Sequence, residues 1–130
     1  MKKVDNFVKA LKNLKEIQGK EPPYDTITET GMVSLFEICF EQSWKAMKEL
    51  LEQSGFSDHK IGSPRSIIKQ AYQAGMLKDE NLWLKALDAR NHVAHAYNKA
   101  IASAIIRDAQ QIFLPMFEAL EKEISAHWME

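Results

Sequence analysis

The chain has 130 residues, of which 45% are apolar and 27% are charged, and these values predict one folded domain covering residues 1–130. Its formal net charge of −1 argues against a protein that coats nucleic acid through bulk charge, but leaves a local nucleic-acid site open. The charged N-terminal stretch is unlike a signal peptide, and no apolar run approaches the roughly 18 residues of a membrane span. We therefore expect a cytoplasmic protein.

Helical periodicity dominates the chain, and the alternation typical of strands is nearly absent. Apolar residues at three- and four-residue steps predict a first helix over about residues 3–18, ended by Gly19. After a loop, the longest helix is predicted over about residues 30–54, with Thr28 or Thr30 as its N-cap.

The long second helix has one apolar and one charged side at about 100° per residue. Cys39 lies on the apolar side, and we expect it to be buried and unreactive because a reactive thiol needs a polar, partly open setting. A single cysteine also fits a reducing compartment. The charged side comprises Glu37, Glu41, Lys45, Lys48 and Glu52.

The charged side of this helix predicts two favourable pairs four residues apart, Glu41 with Lys45 and Lys48 with Glu52. Glu37 and Glu41 have the same spacing but like charges. Such a pair costs a few tenths of a kcal/mol unless a cation lies nearby.

Three further helices complete the predicted fold. Ser63 and Pro64 start a short third helix over about residues 64–74, and Asp79 caps a fourth over about residues 80–97. The fifth is predicted over about residues 101–126, where Pro115 should kink or split it. We therefore predict an all-α, up-and-down four-helix bundle with an additional short helix. His59 and His127 are expected to be solvated residues of a loop and of the C-terminal end.

The stretch DARNHVAHAY, residues 88–97, departs from ordinary packing chemistry. On a straight fourth helix, Arg90 lies in the middle of the apolar stripe, and Tyr97 falls within about 20° of it. A buried charge must be paired and hydrogen-bonded, so Arg90 faces an internal carboxylate, an interface or a pocket. Glu37 and Glu41 are the natural internal partners. The stripe consists of Leu82, Trp83, Ala86, Leu87, Val93 and Ala94.

Asn91 and His95 lie on the polar side of the same helix. His95 is about 140° around the helix from Arg90, so both reach one phosphate only if the helix end unwinds or a second copy of the chain contributes. This geometry favours a two-fold dimer. The spacing of His92 and His95 can support a metal, but no nearby Glu or Cys completes a ligand set, and we predict no metal site and no cofactor.

The motif Arg-x4-His, written R-NHVA-H from Arg90 to His95 and extended by Tyr97 to Arg-x4-His-x-Tyr, resembles that of HEPN-domain proteins. The segments LFEICFEQSWKAMKELLEQSG, GSPRSIIKQAYQAGML and W-LKALDARNHVAHAY follow in order the pattern of the nucleotidyltransferase substrate-binding subfamily, which includes the HepT-like toxins. The likeness covers most of residues 4–124.

The resemblance implies a helical bundle that forms a homodimer and has a separately encoded minimal nucleotidyltransferase as partner. It makes Arg90 and His95 the catalytic residues of a metal-independent ribonuclease at the dimer cleft, with Asn91 as an accessory residue. Tyr97 becomes the site to which the partner transfers AMP, and Glu37 and Glu41 the residues that orient the arginine.

The residue types suit RNA cleavage without a metal. Histidine suits proton transfer to and from ribose and leaving-group oxygens, and the planar guanidinium of arginine suits phosphate oxygens. We therefore predict the HEPN component of a two-gene toxin–antitoxin module. The alternatives are a non-catalytic substrate-binding subunit that docks the nucleotidyltransferase, and a structural helical protein without a site.

Overall fold

The structure, a computed structural model, describes residues 1–56 and 62–129. His59, which was predicted to be solvated, lies outside these described ranges. The helices are α1 (Lys2–Leu14), α2 (Thr26–Gln53), α3 (Pro64–Gln73), α4 (Glu80–Asn91), α5 (Lys99–Asp108) and α6 (Leu114–Glu123).

Helices α5 and α6 are joined without a break. The π-helical segment Ala109–Phe113 connects them, and a second π-helical segment, Ile124–Trp128, follows α6. Helices α5 and α6 therefore form one long helical element, which with α1, α2, α4 and the short α3 confirms the predicted up-and-down bundle. The described residues contain no strand, and none of their helices is long and apolar enough to cross a membrane.

A change of helix type accompanies the proline for which a kink or split was predicted, because the π-helical segment Ala109–Phe113 separates α5 from α6. Pro115 lies in the first turn of α6, immediately after the segment Ala109–Phe113. A proline has no N–H for the preceding turn and its ring crowds that turn. A π-helical turn shifts the hydrogen-bond pattern and accommodates the ring within a continuous helix.

The start of α2 differs from the prediction. Asp25, and neither Thr28 nor Thr30, is the N-cap, and its carboxylate accepts the Thr28 N–H at 2.7 Å. This hydrogen bond favours the charged carboxylate and lowers the pKa of Asp25. The helix consequently begins at Thr26, one turn earlier than predicted.

The caps predicted for α3 and α4 are confirmed. The Ser63 hydroxyl accepts the Ser66 N–H at 3.2 Å, and Pro64 occupies the first turn of α3. The Asp79 carboxylate accepts the Leu82 N–H at 3.0 Å at the start of α4.

An aromatic cluster in the core fixes the position of α2 relative to α4 and α6. The Phe36 ring lies 5.3 Å from the Phe113 ring, and the Phe40 ring lies 6.4 Å from the Trp83 ring of α4. Trp83 also meets Phe117 of α6 edge to face at 5.5 Å. These large side chains set the register in which α4 crosses α2.

Cys39 is buried in this core, as predicted. Burial away from water disfavours the thiolate and raises the pKa of the thiol far above its usual range. The cysteine therefore acts as a small apolar core residue.

Candidate active site

The helix that carries the Arg-x4-His-x-Tyr motif ends inside the motif. Helix α4 stops at Asn91, and a 3₁₀ turn over Val93–His95 follows it, so the predicted helix over residues 80–97 is wrong at its C-terminal end. Asn98 explains the difference. Its side chain accepts the N–H groups of Ala100 and Ile101 at 2.9 and 3.2 Å, which caps α5 and requires extended backbone at Asn98.

Because α4 ends early, straight-helix angles do not describe the residues after His92. A 3₁₀ turn advances by about 120° per residue instead of 100°. Ala94 of the predicted apolar stripe is exposed, and Tyr97 is 85% exposed. The prediction that Tyr97 shares the apolar side with Arg90 is therefore wrong, whereas Trp83 is buried as expected.

Arg90 is held by an internal carboxylate, as one of the predicted alternatives required. Its Nε donates to Glu41 Oε1 at 2.5 Å, and its Nη1 donates to Asn91 Oδ1 at 3.0 Å. The Arg90 and Glu41 side chains are 28% and 25% exposed, so the ion pair lies at the edge of the core. Within the described ranges, no hydrogen bond or ion pair joins Glu37 to Arg90.

Trp44 holds the other oxygen of the same carboxylate. Its Nε1 donates to Glu41 Oε2 at 3.1 Å from the next turn of α2. The carboxylate is thus fixed by donors on both oxygens, and it presents a fixed acceptor to Arg90. Sequence analysis missed this contact, for which the three-residue spacing of Trp44 from Glu41 was the available signal.

The predicted ion pairs along α2 are not formed. Glu41 pairs with Arg90 in place of Lys45, and neither Lys45 nor Lys48 makes an ion pair with any residue that the structure describes. Lys45 and Lys48 therefore have no direct carboxylate contact within the described ranges.

His95 and Tyr97 form the exposed part of the site. Their ring centroids lie 6.4 Å apart with the planes at 71°, and both side chains are exposed. No hydrogen bond joins His95 to Arg90 within residues 1–56 and 62–129. The structure thus brings Arg90 together with Glu41, Trp44 and Asn91, and His95 together with Tyr97, without linking the two groups.

Two further histidines, His92 and His127, have separate partners. His92 Nδ1 lies 2.7 Å from the Asp88 carbonyl oxygen, one turn back along α4. The exposed His127 pairs with Glu123 at 3.0 Å. In the part of the chain that the structure describes, no three His, Cys, Asp or Glu side chains are grouped so that they could hold a metal ion.

Comparison with known proteins identifies relatives of the chain. The model of the family described as "Nucleotidyltransferase substrate binding protein like" matches residues 2–126. A Haemophilus influenzae protein named "Probable ribonuclease HepT" is 28% identical over 94 residues, which are 71% of this chain and 64% of that protein. The match therefore spans less than two thirds of that relative's length.

A crystal structure of a protein from Thermus thermophilus has the same helical arrangement. It is 31% identical in sequence and superposes with a TM-score of 0.75, over 95% of this chain and 99% of that one. Together with the match over residues 2–126, this shows that the chain belongs to the nucleotidyltransferase substrate binding protein-like family and has its HEPN-like helical fold.

Proposed function

We propose that the chain is the HEPN-type toxin of a two-gene nucleotidyltransferase/HEPN module and cleaves RNA without a metal ion in the cytoplasm. The observation that carries the proposal is the anchored Arg90. Its guanidinium lies at the edge of the core, fixed by Glu41, and Trp44 fixes that carboxylate in turn. A scaffold protein has no use for a charged group held in this way on an otherwise apolar helix face.

The guanidinium keeps donors for a substrate. Of its five N–H groups, one is donated to Glu41 and one to Asn91, which leaves the others for phosphate oxygens. Fixed donors of this kind stabilise the negative charge that develops on the phosphorus centre during cleavage, because they need no reorganisation.

His95 supplies the proton transfers in this proposal. Attack of the ribose 2′-oxygen on phosphorus forms the cyclic phosphate and breaks the bond to the 5′-oxygen. The imidazole of His95 takes the 2′-hydroxyl proton as the base, and the resulting imidazolium gives this proton to the leaving oxygen. A two-fold dimer brings His95 of one copy to Arg90 of the other, so that each dimer has two such sites. It also explains why Arg90 and His95 of one copy do not contact each other.

Tyr97 is the proposed target of regulation. Its side chain is 85% exposed, so its hydroxyl is accessible to the active site of a partner nucleotidyltransferase. In AMP transfer, the tyrosine oxygen bonds to the α-phosphorus of ATP, pyrophosphate leaves, and the phenolic proton passes to a base. The added phosphate lies beside the His95 ring, where its charge and bulk keep RNA away.

The second candidate function is a substrate-binding subunit that docks the nucleotidyltransferase and cuts nothing. The description of the matching family favours it. Cleavage of RNA by the purified chain separates the two functions.

Replacing Arg90 by lysine tests whether the arginine serves only the fold. Arg90→Lys keeps a cation for Glu41 but loses the planar donor array, so we expect cleavage to fall about 100- to 1000-fold. The urea-unfolding midpoint should change little. Arg107→Lys is the matched control, because Arg107 is an exposed arginine beside Asp108 on α5. Full activity of Arg90→Lys would show that the arginine has only a structural role.

Replacing His95 by alanine should abolish toxicity. We expect the variant to lower RNA cleavage by about 100- to 10000-fold, the range for loss of a general acid or base. It should also relieve growth arrest of the expressing cells. His92→Ala is the control, since His92 is also exposed but bonds to the Asp88 carbonyl. If wild-type protein neither slows growth nor cuts RNA, the toxin function is refuted.

Mixing two inactive variants tests the shared cleft. We consider a heterodimer of one Arg90→Ala chain and one His95→Ala chain. If Arg90 of one copy acts with His95 of the other, one of its two sites has both residues intact. Co-refolded variants should then recover about a quarter of wild-type cleavage, since half the dimers are mixed and each has one working site. Sedimentation should show a dimer. A stable monomer, or no recovery in confirmed heterodimers, contradicts the shared cleft.

Incubation with the cognate nucleotidyltransferase and ATP should add the mass of one AMP unit to the intact chain. Peptide mass spectrometry should locate it on Tyr97, and Tyr97→Phe should prevent it. Tyr72→Phe is the control because Tyr72 is another exposed tyrosine, 45% accessible. An unchanged mass with a demonstrably active partner would rule out this regulation.

A further inference from the structure

A surface groove adjoins the Arg90 anchor on the other side of Trp44. It encloses about 340 Å³ between the first turn of α1 and the second half of α2. We call it the lysine groove, and its lining residues are Lys3, Trp44, Lys45, Lys48, Glu49 and Glu52.

The charges of the lysine groove favour an anionic ligand. Lys3, Lys45 and Lys48 make no ion pair with any residue in the described ranges. The groove also contains two carboxylates: Glu49 accepts the backbone N–H of Lys3 at 3.1 Å, and Glu52 has an interaction of its own. Three lysines against two carboxylates leave the lining with one excess positive charge.

The groove is continuous with the candidate active site through Trp44. This side chain lines the groove and also donates to Glu41, which holds Arg90. Along α2, positions 41 and 48 are about 10 Å apart. Lys45 and Lys48 therefore lie on the same helix as Glu41, within about two turns of the Arg90 anchor.

We propose that the lysine groove binds the backbone of single-stranded RNA on one side of the phosphate held by Arg90. The inference rests on the proposed function, because it takes RNA as the ligand. Lysines contact successive phosphates, and the half-buried Trp44 offers an aromatic surface to a base, the combination that single-strand binding sites use. In a chain of net charge −1, such binding has to come from a local cluster.

The test measures binding separately from cleavage. A fluorescent 2′-O-methyl oligoribonucleotide, which has no free 2′-hydroxyl and cannot be cut, is titrated with the full chain at several KCl concentrations. The groove variant is Lys45→Gln/Lys48→Gln. The control is Lys12→Gln/Lys122→Gln, which removes the same charge from lysines outside the groove.

We expect the groove variant to bind the probe about tenfold more weakly at low salt. The slope of log K against log salt should fall by about 1.4, since each single-strand phosphate contact contributes about 0.7. The control variant should keep the wild-type slope. Circular dichroism and urea unfolding confirm that both variants are folded.

Each result separates the groove from the proposed function. Groove-dependent binding without cleavage of unmodified RNA supports the groove and refutes the ribonuclease. If RNA is cleaved and all three proteins have the same slope of log K against log salt, the ribonuclease is supported and the groove is refuted. A complete lack of probe binding also refutes the groove. If the groove variant binds RNA normally but no longer binds the nucleotidyltransferase, the lysines serve a protein interface and the inference is wrong.

Discussion

The arrangement of the candidate site depends on one carboxylate. Glu41 accepts from Arg90 with one oxygen and from Trp44 with the other, and it follows the buried Phe40, which packs on Trp83 of α4. Core packing thus holds the two helices at the separation at which the polar contact forms. At the edge of the core, the ion pair keeps part of its hydration, which lowers the cost of burying two charges. The surrounding side chains still exclude enough water to strengthen the hydrogen bonds.

The early end of α4 divides the motif into parts that differ in secondary structure and exposure. Arg90 belongs to the last turn of a packed helix, whereas His95 lies in a 3₁₀ turn and Tyr97 in the exposed link before Asn98. A phosphate-binding group benefits from a rigid position, because its donors must already point at the developing charge. The proposed modification of Tyr97 has a different requirement, because a second enzyme can reach only an exposed side chain.

Most of the fold follows from sequence periodicity and from caps with one clear candidate, such as Ser63 and Asp79. The start of α2 could not be predicted in this way, because the segment DTITET has several side chains that can cap a helix, and tertiary packing determines which of them does so. The end of α4 was misplaced because apolar spacing continues through Val93, while the competing cap at Asn98 acts from outside the helix. A partner for Arg90 was predictable from the cost of an unpaired buried charge, but the indole contact to the same carboxylate requires knowing how Trp44 is rotated.

The ion pair between Arg90 and Glu41 also affects the lysine next to it on α2. Helical spacing favours Glu41 with Lys45, but this contact has to immobilise two long side chains for a small gain. Core packing already positions Arg90 against Glu41, so the arginine loses less entropy on pairing and displaces the lysine. Lys45 then has no carboxylate partner in the described part of the chain. The contact that fixes Arg90 therefore also leaves the Lys45 ammonium open to a ligand beside the candidate active site.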